Sequence, residues 1–149
     1  MPAPRDLYQE VILDHNRRPR NFGRLAGANR SAEGFNPLCG DKLTLYLKLV
    51  DGVIEGVSFE GAGCAISTAS ASLMTEALKG KTEQEAQALF EGFLALLTTG
   101  HGAESAVPLG KLVVLSGVHE FPVRVKCATL AWHTLHAALH DETRPVSTE

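Results

Sequence analysis

A run of alternating apolar and polar residues, followed by a two-residue turn, restricts the fold of this chain more than any other feature. Leucine occupies every second position from 43 to 49, which is the period of a strand with one buried face. The pair Asp51-Gly52 comes next and favours the tight turn of a β-hairpin. We therefore predict a second strand at residues 53–60 and an antiparallel sheet built around this hairpin.

The residues before the hairpin predict one helix and one further strand. Apolar residues recur at helical spacing over about residues 6–16, and Asp6 is a suitable N-cap. Residues 17–23 contain Pro and Gly, which end the helix. This basic segment is either a solvated turn or a docking patch for an acidic partner. A weaker strand around residues 29–35 gives the sheet three antiparallel strands.

Helical patterns dominate after the hairpin. A stripe of apolar residues at helical spacing follows Cys64 and ends at Gly80. Thr82 and Glu85 have the spacing of a capping box and predict the start of another helix. Residues 98–108 are predicted to form a loop.

The C-terminal part predicts a short helix, an extended segment and a last helix. Leu112, Leu115 and Val118 have the spacing of a short helix, and residues 123–126 alternate as in an extended segment. The last helix is predicted at residues 128–140, followed by a polar, frayed tail at 141–149. Without repeats or linkers, residues 1–149 are interpreted as one domain with its ordered core at 5–140.

Composition excludes several classes of function. The chain has 149 residues, of which 44% are hydrophobic, enough for a core without disulfides. Its formal charge of −3 argues against nucleic acid or an anionic membrane as a partner, since both select basic surfaces. Without an apolar run of about 20 residues or an apolar N-terminal stretch, the protein is expected to be cytoplasmic.

The three cysteines all fall at predicted junctions between elements. Cys39 lies in a turn before a strand, Cys64 where a strand gives way to a helix, and Cys127 before the last helix. Helix N-termini favour the thiolate form, which binds metals and attacks sulfur. Glycines flank Cys39 and Cys64, and Asp41 adds an oxygen donor two residues after Cys39. Three thiolates and a carboxylate suit tetrahedral Zn²⁺ or iron, although spacing alone does not bring them together.

Other polar residues have simpler interpretations. His133, His136 and His140 share one face of the last helix with Thr129 and are predicted to form an exposed polar stripe. The small hydroxyl residues after Cys64 are expected to allow close helix packing rather than act as nucleophiles; they are Ser67, Thr68, Ser70 and Ser72.

At its cysteines the sequence resembles the iron–sulfur scaffold proteins that include the N-terminal module of the nitrogen-fixation U protein. The matching stretches are Asn36-Pro37-x-Cys39-Gly40-Asp41, Gly63 to Ser72, and Lys126-Cys127-Ala128, with further likeness from Asp14 to Gly23. The likeness covers about residues 5–140. Housekeeping scaffolds usually carry His where this chain has Lys126. This chain also has a longer segment between its second helix and the third cysteine than those scaffolds have. In both features this chain resembles the zinc-binding U-type proteins of the Suf system.

The resemblance implies an α+β fold, with helices packed on a small antiparallel sheet. It implies Zn²⁺ on Cys39, Asp41, Cys64 and Cys127, and a partnership with a PLP-dependent cysteine desulfurase. Cys39 would accept persulfide sulfur and pass it to downstream iron–sulfur assembly proteins, so that the chain works with the desulfurase rather than as a stand-alone enzyme. Arg124 and Lys126 are candidates for contacting the persulfide or the partner, with simple solvated charge as the alternative.

Two further hypotheses remain open at this point. The same ligands would serve a scaffold on which iron or a [2Fe–2S] cluster is held transiently before donation. Lys126 disfavours this, since protein ligands of such clusters are Cys and, in some proteins, His. The third hypothesis is a zinc site with a purely structural role.

Overall fold

A computed structural model of the chain describes residues 4–37, 40–99, 112, 115, 118, 121–140 and 146–147. In chain order the elements are helix α1 (Pro4–Arg17), strands β1 (Arg30–Asn36), β2 (Asp41–Val50) and β3 (Val53–Ala62), helices α2 (Ala65–Leu78), α3 (Glu83–Thr99) and α4 (Pro122–Leu139), and strand β4 (Val146–Ser147). This is the predicted α+β class. Helix α1 starts at Pro4, so Asp6 lies within it and the predicted N-cap is wrong.

The sheet has four strands in the order β3-β2-β1-β4. The three predicted strands pair antiparallel, whereas β4 pairs parallel with β1 through Gly34 and Val146. The predicted frayed tail is therefore wrong at residues 146–147. Val146 explains the difference, because this apolar side chain packs against the hydrophobic core.

The hairpin between β2 and β3 forms as predicted. Asp51 and Gly52 have φ angles of 53° and 77°, the left-handed conformation that such a two-residue turn requires. Leu43, Leu45 and Leu47 are buried, so the alternating leucines face the helices that cover the sheet.

Helix α2 packs closely on α4 through small side chains, as predicted. Ser70 Oγ donates a hydrogen bond to the Ala128 carbonyl oxygen at 2.6 Å and accepts one from Trp132 Nε1 at 3.2 Å. Ser72 has another role: its Oγ lies 2.7 Å from Nδ1 of buried His15 and accepts from the Arg20 amide at 2.8 Å. Polar groups buried where α2 meets α4 and α1 therefore bond to one another.

Helix α3 begins at the predicted capping box and packs against α4. The Thr82 amide donates to Glu85 Oε1 at 3.0 Å, and the Glu85 amide donates to Thr82 Oγ1 at 3.1 Å. Farther along, Phe93 stacks on Trp132 with ring centroids 4.6 Å apart. Helix α3 extends two residues, Thr98 and Thr99, into the predicted loop, and the rest of that loop lies outside the described residues.

Helix α4 begins at Pro122, six residues before the predicted start. The prediction of an extended segment at 123–126 is wrong. Proline at the first helical position is favourable, and α4 carries it there. Cys127 therefore lies inside the helix, in its second turn, and not at a helix N-terminus.

The predicted exposed polar stripe on α4 is wrong at Thr129, His133 and His136, whereas His140 is exposed as predicted. Thr129 is only 4% exposed, and the rings of His133 and His136 pack against Phe90 of α3 at 5.5 and 5.2 Å between centroids. A neighbouring helix covers this face, which no pattern within α4 reveals.

None of the helices in the described ranges is both long and apolar enough to cross a lipid bilayer.

Candidate metal centre

Three of the four predicted ligands converge at one end of the sheet. Asp41 begins β2, Cys64 immediately precedes α2, and Cys127 lies in α4. One donor atom from each of the three lies within 4.8 Å of the others. Cys39, the fourth, lies outside the described residues. The sheet and two helices thus place three distant donors together, which sequence spacing alone could not establish.

The carboxylate of Asp41 is buried and oriented by its neighbours. Asp41 has no solvent exposure. Its Oδ1 accepts a hydrogen bond from the Cys64 backbone amide at 2.8 Å, while Oδ2 lies 3.9 Å from Cys64 Sγ. One oxygen therefore fixes the side chain, and the other faces a thiol.

Cys64 is the N-cap of α2. Its backbone is extended, with φ −69° and ψ 168°, and its sulfur accepts a hydrogen bond from the Ser67 amide at 3.4 Å. The free amides of a first helical turn favour negative charge. The predicted position of Cys64 at a helix start is confirmed, and its thiol is half-buried.

Cys127 is 3% exposed, and a side-chain amide contacts its sulfur. Asn36 Nδ2 lies 3.5 Å from Cys127 Sγ and 3.5 Å from Asp41 Oδ2. Asn36 and Asp41 are paired residues at the end of the β1–β2 ladder. One buried amide therefore reaches two of the three converging ligands.

Two glycines leave the space that this arrangement needs. Gly61 has φ 143°, and an added Cβ there would overlap the carbonyl oxygen of Lys42. A Cβ on Gly63 would lie 2.8 Å from Asp41 Oδ1. Both glycines therefore permit close approaches that a side chain would block.

The donor set fits a metal ion. Two thiols and a buried carboxylate are ligands that Zn²⁺ and iron accept, and a fourth donor completes a tetrahedron. Within the described part of the chain, Asp41, Cys64 and Cys127 are the group of His, Cys, Asp or Glu side chains whose three donor atoms lie close enough together to hold one ion.

Arg124 and Lys126 lie in the first turns of α4, shortly before Cys127. Arg124 is exposed and its guanidinium lies 4.7 Å from the centre of the Phe121 ring. Lys126 is half-buried. Their contact with a persulfide or a partner remains a prediction.

Asn36 is the site residue that the sequence analysis missed. It was named only as part of the stretch around Cys39. The available signal was its register, because Ala32, Gly34 and Asn36 all face inward on β1. A polar residue on the buried face of a strand, three residues before a cysteine, indicates a hydrogen-bonding role.

Comparison with known proteins identifies the family. The pattern of the NifU-like N terminal domain family matches residues 7–128. The chain is 41% identical over 136 residues to the zinc-dependent sulfurtransferase SufU of Bacillus subtilis (strain 168), covering 91% of each chain. It is 42% identical over 133 residues to the iron–sulfur cluster assembly scaffold protein IscU of Streptococcus pyogenes serotype M1, covering 89% of this chain and 82% of that protein.

A solved structure shares the fold. It is described as an iron–sulfur cluster assembly scaffold protein for the SUF system from Fervidobacterium islandicum AW-1, and it superposes with a TM-score of 0.82 at 36% identity. The match covers 92% of this chain and 99% of that one. The family match spans most of the chain and includes Asp41, Cys64 and Cys127. The chain therefore belongs to the NifU-like N-terminal domain family, as its cysteine motifs indicated.

Proposed function

We propose that this protein accepts persulfide sulfur from a cysteine desulfurase at a zinc-bound Cys/Asp site and passes it toward iron–sulfur cluster assembly. The convergence of Asp41, Cys64 and Cys127 within 4.8 Å carries the proposal. The similarity to a zinc-dependent sulfurtransferase supports it.

In this proposal Cys39, Asp41, Cys64 and Cys127 hold the zinc ion. Bound zinc keeps its cysteine ligands as thiolates and joins the elements that carry them. Sequence places Cys39 two residues before Asp41, so it is the natural fourth donor.

Cys39 is the proposed sulfur acceptor because one of the other two thiols is buried and the other caps a helix. Cys127 is nearly inaccessible to solvent, and the sulfur of Cys64 caps α2. The Cys39 thiolate attacks the outer sulfur of the desulfurase persulfide. A new S–S bond forms on Cys39, the S–S bond of the desulfurase breaks, and its cysteine leaves as a thiolate, with no net oxidation or reduction.

Arg124 and Lys126 carry positive charge shortly before Cys127 in α4. A persulfide is an anion when it reacts, and nearby cations increase the rate at which anions approach. We include both residues as contacts for the persulfide or the partner, with a smaller effect than that of the ligands.

A second candidate function uses the same ligands. The similarity to a protein named as an iron–sulfur cluster assembly scaffold favours transient assembly of a [2Fe–2S] cluster here. Lys126 precedes Cys127, and an amine is not among the usual ligands of such clusters.

The deciding experiment incubates the zinc-loaded protein with a cysteine desulfurase and cysteine, then alkylates the thiols and maps the peptides by mass. We expect an added mass of about 32 Da, one sulfur atom, on Cys39, together with faster alanine production. Cys39→Ser should lose both effects while keeping its circular dichroism spectrum. Thr44→Ala, on the outer face of the sheet, is the control that keeps both.

Each other outcome has a defined meaning. Absence of the adduct on every cysteine, without stimulation of the desulfurase, contradicts sulfur transfer. Anaerobic reconstitution with iron and sulfide would then test the scaffold function by visible absorption. Loss of the fold on zinc removal, with neither chemistry present, would leave a structural zinc site.

A further inference from the structure

A second group of potential metal ligands lies on α4, away from the cysteines. His136 and His140 are one helical turn apart, and their ring centroids are separated by 4.3 Å with an interplanar angle of 58°. His136 lies nine residues after Cys127, which is about 13 Å along the axis and half a rotation around the helix. The pair therefore faces away from the candidate metal centre.

The ring of His136 is held in place on its protein side. It stacks on Phe90 at 5.2 Å and 20°, and Phe90 is only 8% exposed. His136 Nδ1 is buried and has no hydrogen-bond partner among the described residues. Because the residue is half-exposed as a whole, the edge of its ring that carries Nε2 is the edge that faces outward.

We propose that His136 and His140 form a second metal site, which binds a divalent transition-metal ion through two imidazoles. Neutral imidazole is a ligand for Ni²⁺, Cu²⁺ and Zn²⁺, and two ligands on adjacent helical turns chelate one ion.

The separation of the rings fits the binding of one ion by both imidazoles. Two imidazoles bound at 90° to an ion about 2.1 Å from each nitrogen have centroids about 4.5 Å apart, and a tetrahedral angle increases this to about 5.2 Å. The observed 4.3 Å is close enough to both values that small side-chain rotations bring the two rings to one ion.

Among the described residues, this site has two protein ligands. Helix α4 supplies both nitrogens, and His133, one turn earlier, instead packs edge-on against Phe90. A two-ligand chelate near the surface exchanges its metal more readily than the buried cysteine and aspartate group.

The test uses Ni²⁺, which does not oxidise thiols as Cu²⁺ does. Untagged, zinc-loaded protein at about pH 7.5 is titrated with Ni²⁺ by calorimetry. We expect one Ni²⁺ per chain with no release of zinc. His140→Gln and His136→Gln should each weaken Ni²⁺ binding by more than about tenfold, because each removes one arm of a chelate.

His133→Gln is the matched control and should keep the wild-type affinity for Ni²⁺. His140 is exposed, so its substitution tests the site even if His136→Gln disturbs packing on Phe90. Paramagnetic broadening of the His136 and His140 ring protons in NMR spectra is the second readout. Equal Ni²⁺ binding by wild type and His140→Gln, or equal weakening by His133→Gln, would overturn the proposal.

Discussion

The side-chain amide of Asn36 contacts the sulfur of Cys127 across 3.5 Å, and both residues are buried. They are 91 positions apart in the chain, so the contact joins the end of β1 to the second turn of α4. The same nitrogen lies 3.5 Å from Asp41 Oδ2. Asn36 thus orients two proposed metal ligands without being a ligand itself.

Substitution Asn36→Ala should weaken zinc binding by about 10- to 100-fold, the usual range for loss of a group that orients metal ligands. Asn36→Asp should weaken it at least as much, because it adds a second carboxylate facing Asp41. Chelator competition measures the affinity, and the absorption of the Co²⁺-substituted protein reports ligand geometry. Asn29→Ala removes amide hydrogen bonds to Leu49 on the exposed surface and is the control expected to bind zinc normally.

Gly63→Ala should displace the carboxylate of Asp41. The new Cβ would lie 2.8 Å from Oδ1, the oxygen that the Cys64 amide holds. We expect zinc affinity to fall by about tenfold or more, measured by chelator competition. At Gly56 the added Cβ would meet the Leu25 side chain at 3.3 Å, so Gly56→Ala is the matched control with unchanged affinity. Equal affinity in the two variants would contradict this account of Asp41.

Gly34 allows β1 to lie directly against α4. A Cβ at this position would overlap Thr134 Oγ1 and approach Leu130 Cδ1 at 3.1 Å. Gly34→Ala should therefore lower the free energy of unfolding by about 1–3 kcal/mol. In a Thr134→Ala background the same substitution should be less costly by about 1 kcal/mol. Urea denaturation of all four proteins measures this coupling, and additive effects would show that the overlap is relieved elsewhere.

The stability of the protein should fall on acidification, in part because of His133. Burial disfavours the charged imidazole and lowers the pKa of His133, and the nearby His136 lowers it further. Below about pH 6.5 the unfolded chain binds a proton at this position while the folded protein does not. The free energy of unfolding therefore decreases as pH falls from about 6.5 toward the lowered pKa, and this contribution is absent at higher pH.

His133→Gln should reduce that dependence. In urea denaturation with equal zinc content, the wild type should lose more stability than the variant as the pH falls. Curves that stay parallel from neutral to acidic pH would rule out a contribution from His133.

Local patterns predicted most elements, while long-range packing decided the corrections. The leucine alternation with Asp51-Gly52, and the pairing of Thr82 with Glu85, depend on near neighbours and were interpreted correctly. Helix α4 was misplaced because alternating valines suggested a strand, although Pro122 at the first helical position was a usable signal. The short strand β4 has no detectable period, because it contains only two residues and is recognised as a strand by its pairing with β1.

The site was predictable as a set of residues but not as a geometry. The motifs around Cys64 and Cys127 identified candidate ligands, while their convergence depends on the packing of α2 and α4 against the sheet. The bonds from Asn36 to residues of two other elements could not be read from spacing. Phe90 is distant in sequence from His133 and His136, which explains why the partial burial of these two histidines was missed.

Strand β4 covers one border of the sheet at Gly34 and Phe35 of β1. At the other border, the Ile54 amide donates to the Lys81 carbonyl, and the Phe59 carbonyl accepts from the Gly23 amide. Bare strand borders invite other chains to add to the sheet and start aggregates. At these positions the backbone already has partners, so we expect strand addition by another chain to be disfavoured there.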